Sequence, residues 1–168
     1  MDYRIYEKAA DFRGTGYIKI VRVARPEVRS GQAIPESEGA PRELGQDGSL
    51  LIDQEAFFMA DGIIAKHFEK YGHFGPNEIP REIGLKITAE WEKVAALMAQ
   101  MTTEQIYAAL NLGGAFAGIW PGQVEAMIPN FVSEIEDHRG DIARFLLSLA
   151  KACNAFYRDG DWIYIEGV

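Results

Sequence analysis

The segment GYIKIVRVAR, Gly16 to Arg25, is rich in β-branched residues, which favour β-strands. Alternate residues of an extended chain point to opposite sides, so Ile18 and Ile20 share one face while Tyr17 and Val21 share the other. Because both faces are partly apolar, we predict that this segment is a central strand of a sheet.

Two further strands are predicted around this one. YRIYEK, Tyr3 to Lys8, precedes it and is separated from it by a turn-compatible Gly14. WIYI, Trp162 to Ile165, follows an Asp159-Gly160 turn near the end of the chain. A lone strand of this length leaves its backbone groups unpaired, so we expect it to pair with the N-terminal strands.

The middle of the chain carries helical periodicity. Apolar residues recur at spacings of three and four from Phe57 to Tyr71, with Asp53 as a candidate N-cap and Gly72 as a candidate stop. The longest amphipathic pattern runs from Ile83 to Met101. We predict that its apolar face is buried.

Three local signals refine this helical region. Pro80 suits a helix start, and Gly84 is a candidate break in the long helix. Thr102 and Gln105 in TTEQ form a capping-box pattern, which predicts the start of another helix. A last apolar stripe runs from Ile142 to Phe156.

These patterns predict a single α+β domain over residues 1–168. The assignment is strands in 1–25, a long Pro/Gly loop over 26–52, helices over 53–157 and a strand at 161–166. The expected architecture is a small antiparallel sheet, built from the two N-terminal strands and the C-terminal strand, packed with a bundle of four to six helices.

The stretch QIYAALNLGGAFAGIWPGQV, residues 105–124, has no charged residue. A membrane-spanning helix needs about 20 mostly apolar residues, but four glycines and Pro121 interrupt this stretch. Its glycine spacing fits no dinucleotide-binding loop, and it lacks the Gly-Lys-Ser/Thr of a P-loop. We interpret it as core containing a bend, with Phe116 and Trp120 as candidate aromatic anchors for a partner.

Charge excludes some partners. The net charge is −8, and the excess lies in residues 51–168, which hold 17 acidic and 9 basic groups. Such a surface repels nucleic acids and anionic membranes, whereas it attracts a basic protein. The single cysteine, Cys153, requires no oxidising compartment, and the N-terminal MDYRIYEKAADFRG is unlike a signal peptide, so we expect a cytoplasmic protein.

No motif for catalysis or metal binding is evident. His67 and His73 are six residues apart and lack the i, i+4 spacing of zinc proteases. Glu134 and His138 have that spacing, but no second such pair exists for a di-metal site. Cys153 falls on an apolar stripe, which predicts a buried, inert thiol. We therefore predict no cofactor, no metal and no catalytic residues, and we favour a protein that is not an enzyme.

The favoured function is protein binding. We expect a small acidic domain of the bacterial inhibitor or immunity type, acting on a basic protein through Glu134, Glu136 and Asp137 or through Phe116 and Trp120. One alternative is a small-molecule-binding domain or enzyme with a pocket between the sheet and the loops HFGPNEIP and GGAFAGIW. Another is a structural subunit of a larger assembly. The partner, the oligomeric state and the role of loop 26–49 stay open.

Overall fold

A computed structural model describes residues 2–7, 11–13, 16–23, 49–73, 76–102, 104–105, 131–158 and 162–167. The described strands are β1 (Ile5–Tyr6), β2 (Tyr17–Val23), β3 (Leu50–Asp53), β4 (Asn77–Ile79) and β5 (Trp162–Gly167). The described helices are α1 (Gln54–His67), α2 (Arg81–Gln100) and α3 (Phe131–Arg158).

All strand pairs are antiparallel, in the order β1-β3-β2-β5-β4, so β2 is the middle strand of the sheet. Ile20 is paired with Leu50 on one side and with Ile165 on the other, and all three side chains are buried. The predicted central position of β2 and its pairing with the C-terminal strand are confirmed. The two N-terminal strands were expected to be neighbours, but β3 lies between β1 and β2, and β1 does not pair with β5.

The predicted fold class is wrong in its counts. The sheet has five strands instead of three, and the described residues contain three helices, not a bundle of four to six. The α+β composition holds.

Two short strands account for the sheet error. β3 falls at the end of the segment assigned to the 26–52 loop, and β4 falls inside the segment assigned to helices. Leu50, Leu51 and Ile52 are all buried, so β3 lacks the alternation that identifies a half-exposed strand. β4 is only three residues long, with Asn77 and Ile79 buried and Glu78 exposed. Neither strand is long enough to show a period.

Helix α1 begins as predicted but ends earlier. The Asp53 carboxylate accepts a hydrogen bond from the backbone N–H of Ala56 at 3.1 Å, which confirms it as the N-cap. The helix ends at His67 instead of near Gly72. Asn77 holds the following turn, because its side chain accepts from the N–H of Gly72 at 2.9 Å and donates to the carbonyl of Gly72 at 2.7 Å.

Helix α2 carries the predicted buried face. Trp91, Val94 and Met98 are all buried, which confirms the prediction. The Trp91 indole N–H donates to the backbone carbonyl of Ala60 at 3.1 Å and so links α2 to α1. The predicted capping box after the helix is confirmed, since Thr102 N–H donates to Gln105 Oε1 at 2.9 Å and Gln105 N–H donates to Thr102 Oγ1 at 3.3 Å.

Gly84 does not break α2, since the helix continues through it. Its role is steric: a Cβ at this position would overlap the ring and hydroxyl of Tyr157 on α3. The Tyr157 side chain is fully buried there, and burial raises the pKa of its phenol. The absent side chain therefore lets α2 and α3 approach closely.

Polar contacts hold α2 and α3 antiparallel along their length. Arg81 at the start of α2 donates to the carbonyl of Tyr157 at 2.9 Å. Arg139 in the first half of α3 donates to the carbonyl of Met101 at 2.7 Å. Each arginine satisfies a carbonyl at or just beyond the end of the other helix, where intrahelical partners run out.

One hydrophobic core joins the sheet and the three helices and includes residues from β2, β3, β5, α1, α2 and α3. Cys153 lies in this core, which confirms its predicted burial, and burial raises the pKa of its thiol to about 12. Within the described part of the chain, no helix combines the length and apolar character needed to cross a membrane. The uncharged stretch 105–124 lies outside the described residues, except for Gln105.

We predict that Trp91→Ala lowers the free energy of unfolding by about 3–5 kcal/mol, because it removes a large buried side chain and the hydrogen bond to Ala60. Chemical denaturation measures this loss. Lys93→Ala, an exposed change on the same helix, is the control and should cost less than about 0.5 kcal/mol. Equal midpoints for wild type and Trp91→Ala would contradict the burial of this ring.

We predict opposite effects of alanine at two helical glycines. Gly84→Ala forces a methyl group into the Tyr157 ring and should destabilise the protein by about 1–3 kcal/mol. Gly140 is an exposed residue of α3, and a Cβ there would meet only the Arg144 guanidinium, at 3.7 Å. Gly140→Ala should therefore stabilise the protein by about 0.5–1 kcal/mol. Thermal melts of both variants test the prediction, and a stabilising Gly84→Ala would show that the two helices do not need a close approach.

Candidate functional site

A cleft of about 650 Å³ opens between the β1 region and the middle of α3. It is lined by Asp2, Tyr3, Arg4, Ile5, Tyr6, Asp141, Arg144, Phe145 and Ser148. The four helical residues recur at spacings of three and four, so they lie on one side of α3. The volume is within the range of about 300–1,000 Å³ that is usual for small-molecule sites.

The β1 wall contains a tightly bonded ion pair. Arg4 donates to the Asp2 carboxylate from Nε at 2.9 Å and from Nη2 at 2.7 Å, and the Tyr6 hydroxyl donates to the same carboxylate. The guanidinium also lies 5.3 Å from the centre of the Tyr6 ring. Hydrogen bonds from Arg4 above all hold the pKa of Asp2 well below its usual range, so this carboxylate stays charged.

The α3 wall contains a second, looser pair. Arg144 donates to Oδ1 of Asp141 three residues earlier, and the side chains are 76% and 45% exposed. An exposed pair of this kind contributes about 0–1 kcal/mol to stability. Its groups therefore exchange partners at little cost.

Tyr3 lies between the two walls. Its ring centre is 6.1 Å from the rings of both His138 and Phe145 on α3. The hydroxyl is buried and has no hydrogen-bond partner among the described residues. Burial, with added repulsion from Asp141 and Asp53, raises the pKa of the Tyr3 phenol, so the ring stays neutral.

The cleft carries charged groups that can bind a ligand. Its described lining holds two Asp–Arg pairs, apolar surface and the Ser148 hydroxyl, but no histidine, cysteine or lysine. Such a set can hold charged groups of a ligand by charge-assisted hydrogen bonds. It includes no group that titrates near neutral pH in its unperturbed state.

Of the three predicted acidic residues, only Asp137 has a described side chain, and it is not among the residues that line the cleft. Glu134, Glu136 and Asp137 fall in the first turns of α3, and Asp137 is exposed. The side chains of Glu134 and Glu136 lie outside the described residues. Asp137 is four residues before Asp141, so the acidic face of the helix continues to the edge of the cleft.

The other predicted sites have different outcomes. Phe116 and Trp120 lie outside the described residues, so the aromatic anchor stays a prediction. The alternative pocket involved the loops HFGPNEIP and GGAFAGIW; the second lies outside the described residues, and no described residue of the first lines the cleft. Sequence patterns missed the cleft because its β1 wall comes from residues 2–6, which carry no periodic or motif signal.

His67 and His73 belong to separate clusters. His73 Nδ1 is 2.9 Å from Asp61 Oδ2, and its ring stacks on Phe58 with centres 4.1 Å apart. His67 and Lys66 both contact the Glu90 carboxylate on α2. Among the described residues, no three histidine, cysteine or acidic side chains group as metal ligands do.

Asp61 is a buried acid that sequence analysis overlooked. It is 9% exposed and follows Ala60 on a helix that is largely apolar. Burial raises the pKa of the neighbouring Tyr71, and the charge of Asp61 adds to this effect. In the sequence, Asp61 is an acid among the apolar residues of a predicted helix. An acid in that position indicates a buried contact with another polar side chain, which here is His73.

Comparisons with protein-family models, curated proteins and solved structures found no match to this chain.

We predict that Glu90 stabilises the fold above about pH 5. Burial alone would raise the pKa of Glu90, but hydrogen bonds from Lys66 and His67 outweigh burial and lower it. A lowered pKa in the folded state stabilises the protein above the unfolded pKa, and this stabilisation is lost as pH falls through the folded value. Glu90→Gln should therefore cost about 1 kcal/mol at pH 7 and almost nothing near pH 2.

Denaturant unfolding at several pH values measures this difference. Glu69→Gln removes an exposed acid from the turn after α1 and is the matched control, with no such pH-dependent loss. If the difference in unfolding free energy between wild type and Glu90→Gln is as large at pH 2 as at pH 7, the stabilisation does not come from the ion pairs of Glu90.

Proposed function

We propose that this chain is a protein-binding domain that recognises a basic protein through the acidic start of α3. The observation that carries the proposal is the exposed Asp137, one helical turn from the half-exposed Asp141 at the rim of the cleft. Like charges four residues apart on a helix repel each other and reduce its stability slightly. A cationic side chain from a partner relieves that repulsion.

The overall charge supports the same partner class. A net charge of −8, with the excess in residues 51–168, creates a field that attracts and orients a basic protein. Aromatic surface lies beside the acids, because the Tyr3 ring contacts α3 next to Asp141. Acids around an aromatic surface suit lysine and arginine side chains, which bind both carboxylates and ring faces.

The proposal includes an inhibitor or immunity-type role and a cytoplasmic location. The location is supported by the single cysteine, a buried thiol that needs no oxidising compartment. A structural-subunit role has less support, since the only large hydrophobic side chains with marked exposure among the described residues are Leu85 and Leu147. A small-molecule role is favoured by one observation, the cleft itself.

The test begins with affinity capture from the native cell, followed by stopped-flow association of the purified pair. We expect a cationic partner whose association rate falls at least about tenfold between low and high salt, because counterions screen steering. The triple variant Glu134→Gln, Glu136→Gln, Asp137→Asn should associate more slowly and show a flatter salt dependence, with a nearly unchanged melting curve.

The matched control neutralises three exposed acids elsewhere, through Glu69→Gln, Glu78→Gln and Glu82→Gln. Both variants change the net charge equally, but Glu78 and Glu82 lie near the start of α2, at the opposite end of the antiparallel α2–α3 pair from Asp137. A local site requires a larger loss of rate in the first variant. Equal losses, or rates independent of salt, would refute an electrostatic site at the start of α3.

A further inference from the structure

We propose that the cleft between β1 and α3 binds a zwitterionic amino compound with an apolar body, such as a free α-amino acid or a short peptide. This inference goes beyond the protein-binding proposal and does not rest on it. It follows from which hydrogen-bonding groups of the cleft are already used and which are left for a ligand.

On the β1 wall, the spare group is a donor. The Asp2 carboxylate accepts from the Arg4 side chain, the Arg4 backbone N–H and the Tyr6 hydroxyl, so its capacity is largely filled. Arg4 donates through Nε and Nη2, and its Nη1 has no acceptor among the described residues. The side chain is 71% exposed. This wall therefore offers a guanidinium, already oriented by Asp2, to a ligand carboxylate.

On the α3 wall, the spare group is an acceptor. Arg144 contacts Oδ1 of Asp141, which leaves Oδ2 for another donor, and nearly half of the Asp141 side chain is exposed. An ammonium group can bind here without displacing Arg144. The Ser148 hydroxyl, one turn beyond Arg144 on the same face, supplies a further polar contact.

The charges that line the cleft make a ligand with a single charge a poor fit. The lining carries two negative and two positive side chains, so a simple anion meets Asp141 and a simple cation meets Arg4. A zwitterion presents one group to each. The partly exposed apolar surface of Tyr3 and Ile5 in the cleft suits an aliphatic or aromatic body.

The experiment titrates isotope-labelled full-length protein with four probes and follows backbone amide shifts by NMR. L-phenylalanine and the dipeptide phenylalanyl-leucine are zwitterions, 3-phenylpropionate keeps only the carboxylate, and 2-phenylethylamine keeps only the ammonium group. We expect both zwitterions to shift amides of residues 2–6 and 141–148 and to bind on the order of tenfold more tightly than either single-charge probe. The ratio of the two zwitterion affinities tells a free amino acid from a peptide.

Two variants separate the charge contacts. Arg4→Gln should weaken L-phenylalanine and 3-phenylpropionate on the order of tenfold and leave 2-phenylethylamine unchanged. Asp141→Asn should weaken L-phenylalanine and 2-phenylethylamine and leave 3-phenylpropionate unchanged. The unaffected probe in each case shows that the cleft is still folded, and Arg4→Lys, which keeps the charge, should retain most of the affinity for L-phenylalanine.

The matched controls are Arg158→Gln, at the far end of α3, and Glu69→Gln, in the turn after α1. Both should leave all four affinities unchanged. Absence of binding by the zwitterions, shifts confined to residues outside the cleft, or a single-charge probe that binds as tightly as L-phenylalanine would each overturn the inference. None of these outcomes bears on the salt dependence of a protein partner, so the two proposals fail separately.

Discussion

The close approach of α2 to α3 at Gly84 is the constraint on which the rest of the structure depends. Without a side chain there, the ring of Tyr157 is fully buried against α2. Packed interiors tolerate little added volume, so this contact sets the separation of the helices near the end of α3. Arg81 then fixes that end by its hydrogen bond to the Tyr157 carbonyl. The chain continues from there into β5, the strand between β2 and β4.

The same constraint positions the cleft. α3 is antiparallel to α2 and is held near its C-terminal end by Arg81 and in its first half through Arg139. The middle of α3 contacts the β1 side of the sheet, where the Tyr3 ring meets Phe145. Phe145 faces the core while Asp141 and Arg144 remain at the surface. Tyr3 fills the space between helix and sheet edge. The cleft is thus a consequence of how one long helix crosses the edge of a sheet, and its charged groups come from positions that the core leaves exposed.

The sequence predicted elements whose pattern is long enough to have a period. β2 was recognisable from the apolar residues on its two faces, and the buried face of α2 followed from the spacing that contains Trp91. By contrast, β3 has four residues and no alternation, and β4 has three residues, too few to establish a period. Their strand structure depends on pairing with β2 and β5, which is a tertiary effect that overrides local preference. The predicted end of α1 near Gly72 is wrong for a similar reason. The turn after α1 is held by hydrogen bonds between the Gly72 backbone and the side chain of Asn77, a residue of β4.

The candidate site was predictable only where local charge was informative. Asp137 is on the exposed surface of α3, as a solvated acidic helix face implies, but the pairing of Asp2 with Arg4 and Tyr6 places these residues in a cleft only because β1 lies beside α3. No spacing rule brings residues 2–6 next to residues 141–148.

Two electrostatic interactions are proposed for the first half of α3, and they act over different distances. The net charge of the chain acts over a Debye length of about 10 Å at 0.1 M salt, so attraction of a basic protein weakens as salt rises. The Asp–Arg pairs of the cleft are in direct contact, and their fields largely cancel a short distance away. A small zwitterion is likewise neutral overall and feels little steering, so its affinity depends on contact geometry and not on the field. Salt therefore separates the two binding modes on physical grounds: it slows the approach of a charged protein and leaves the cleft nearly as competent as before.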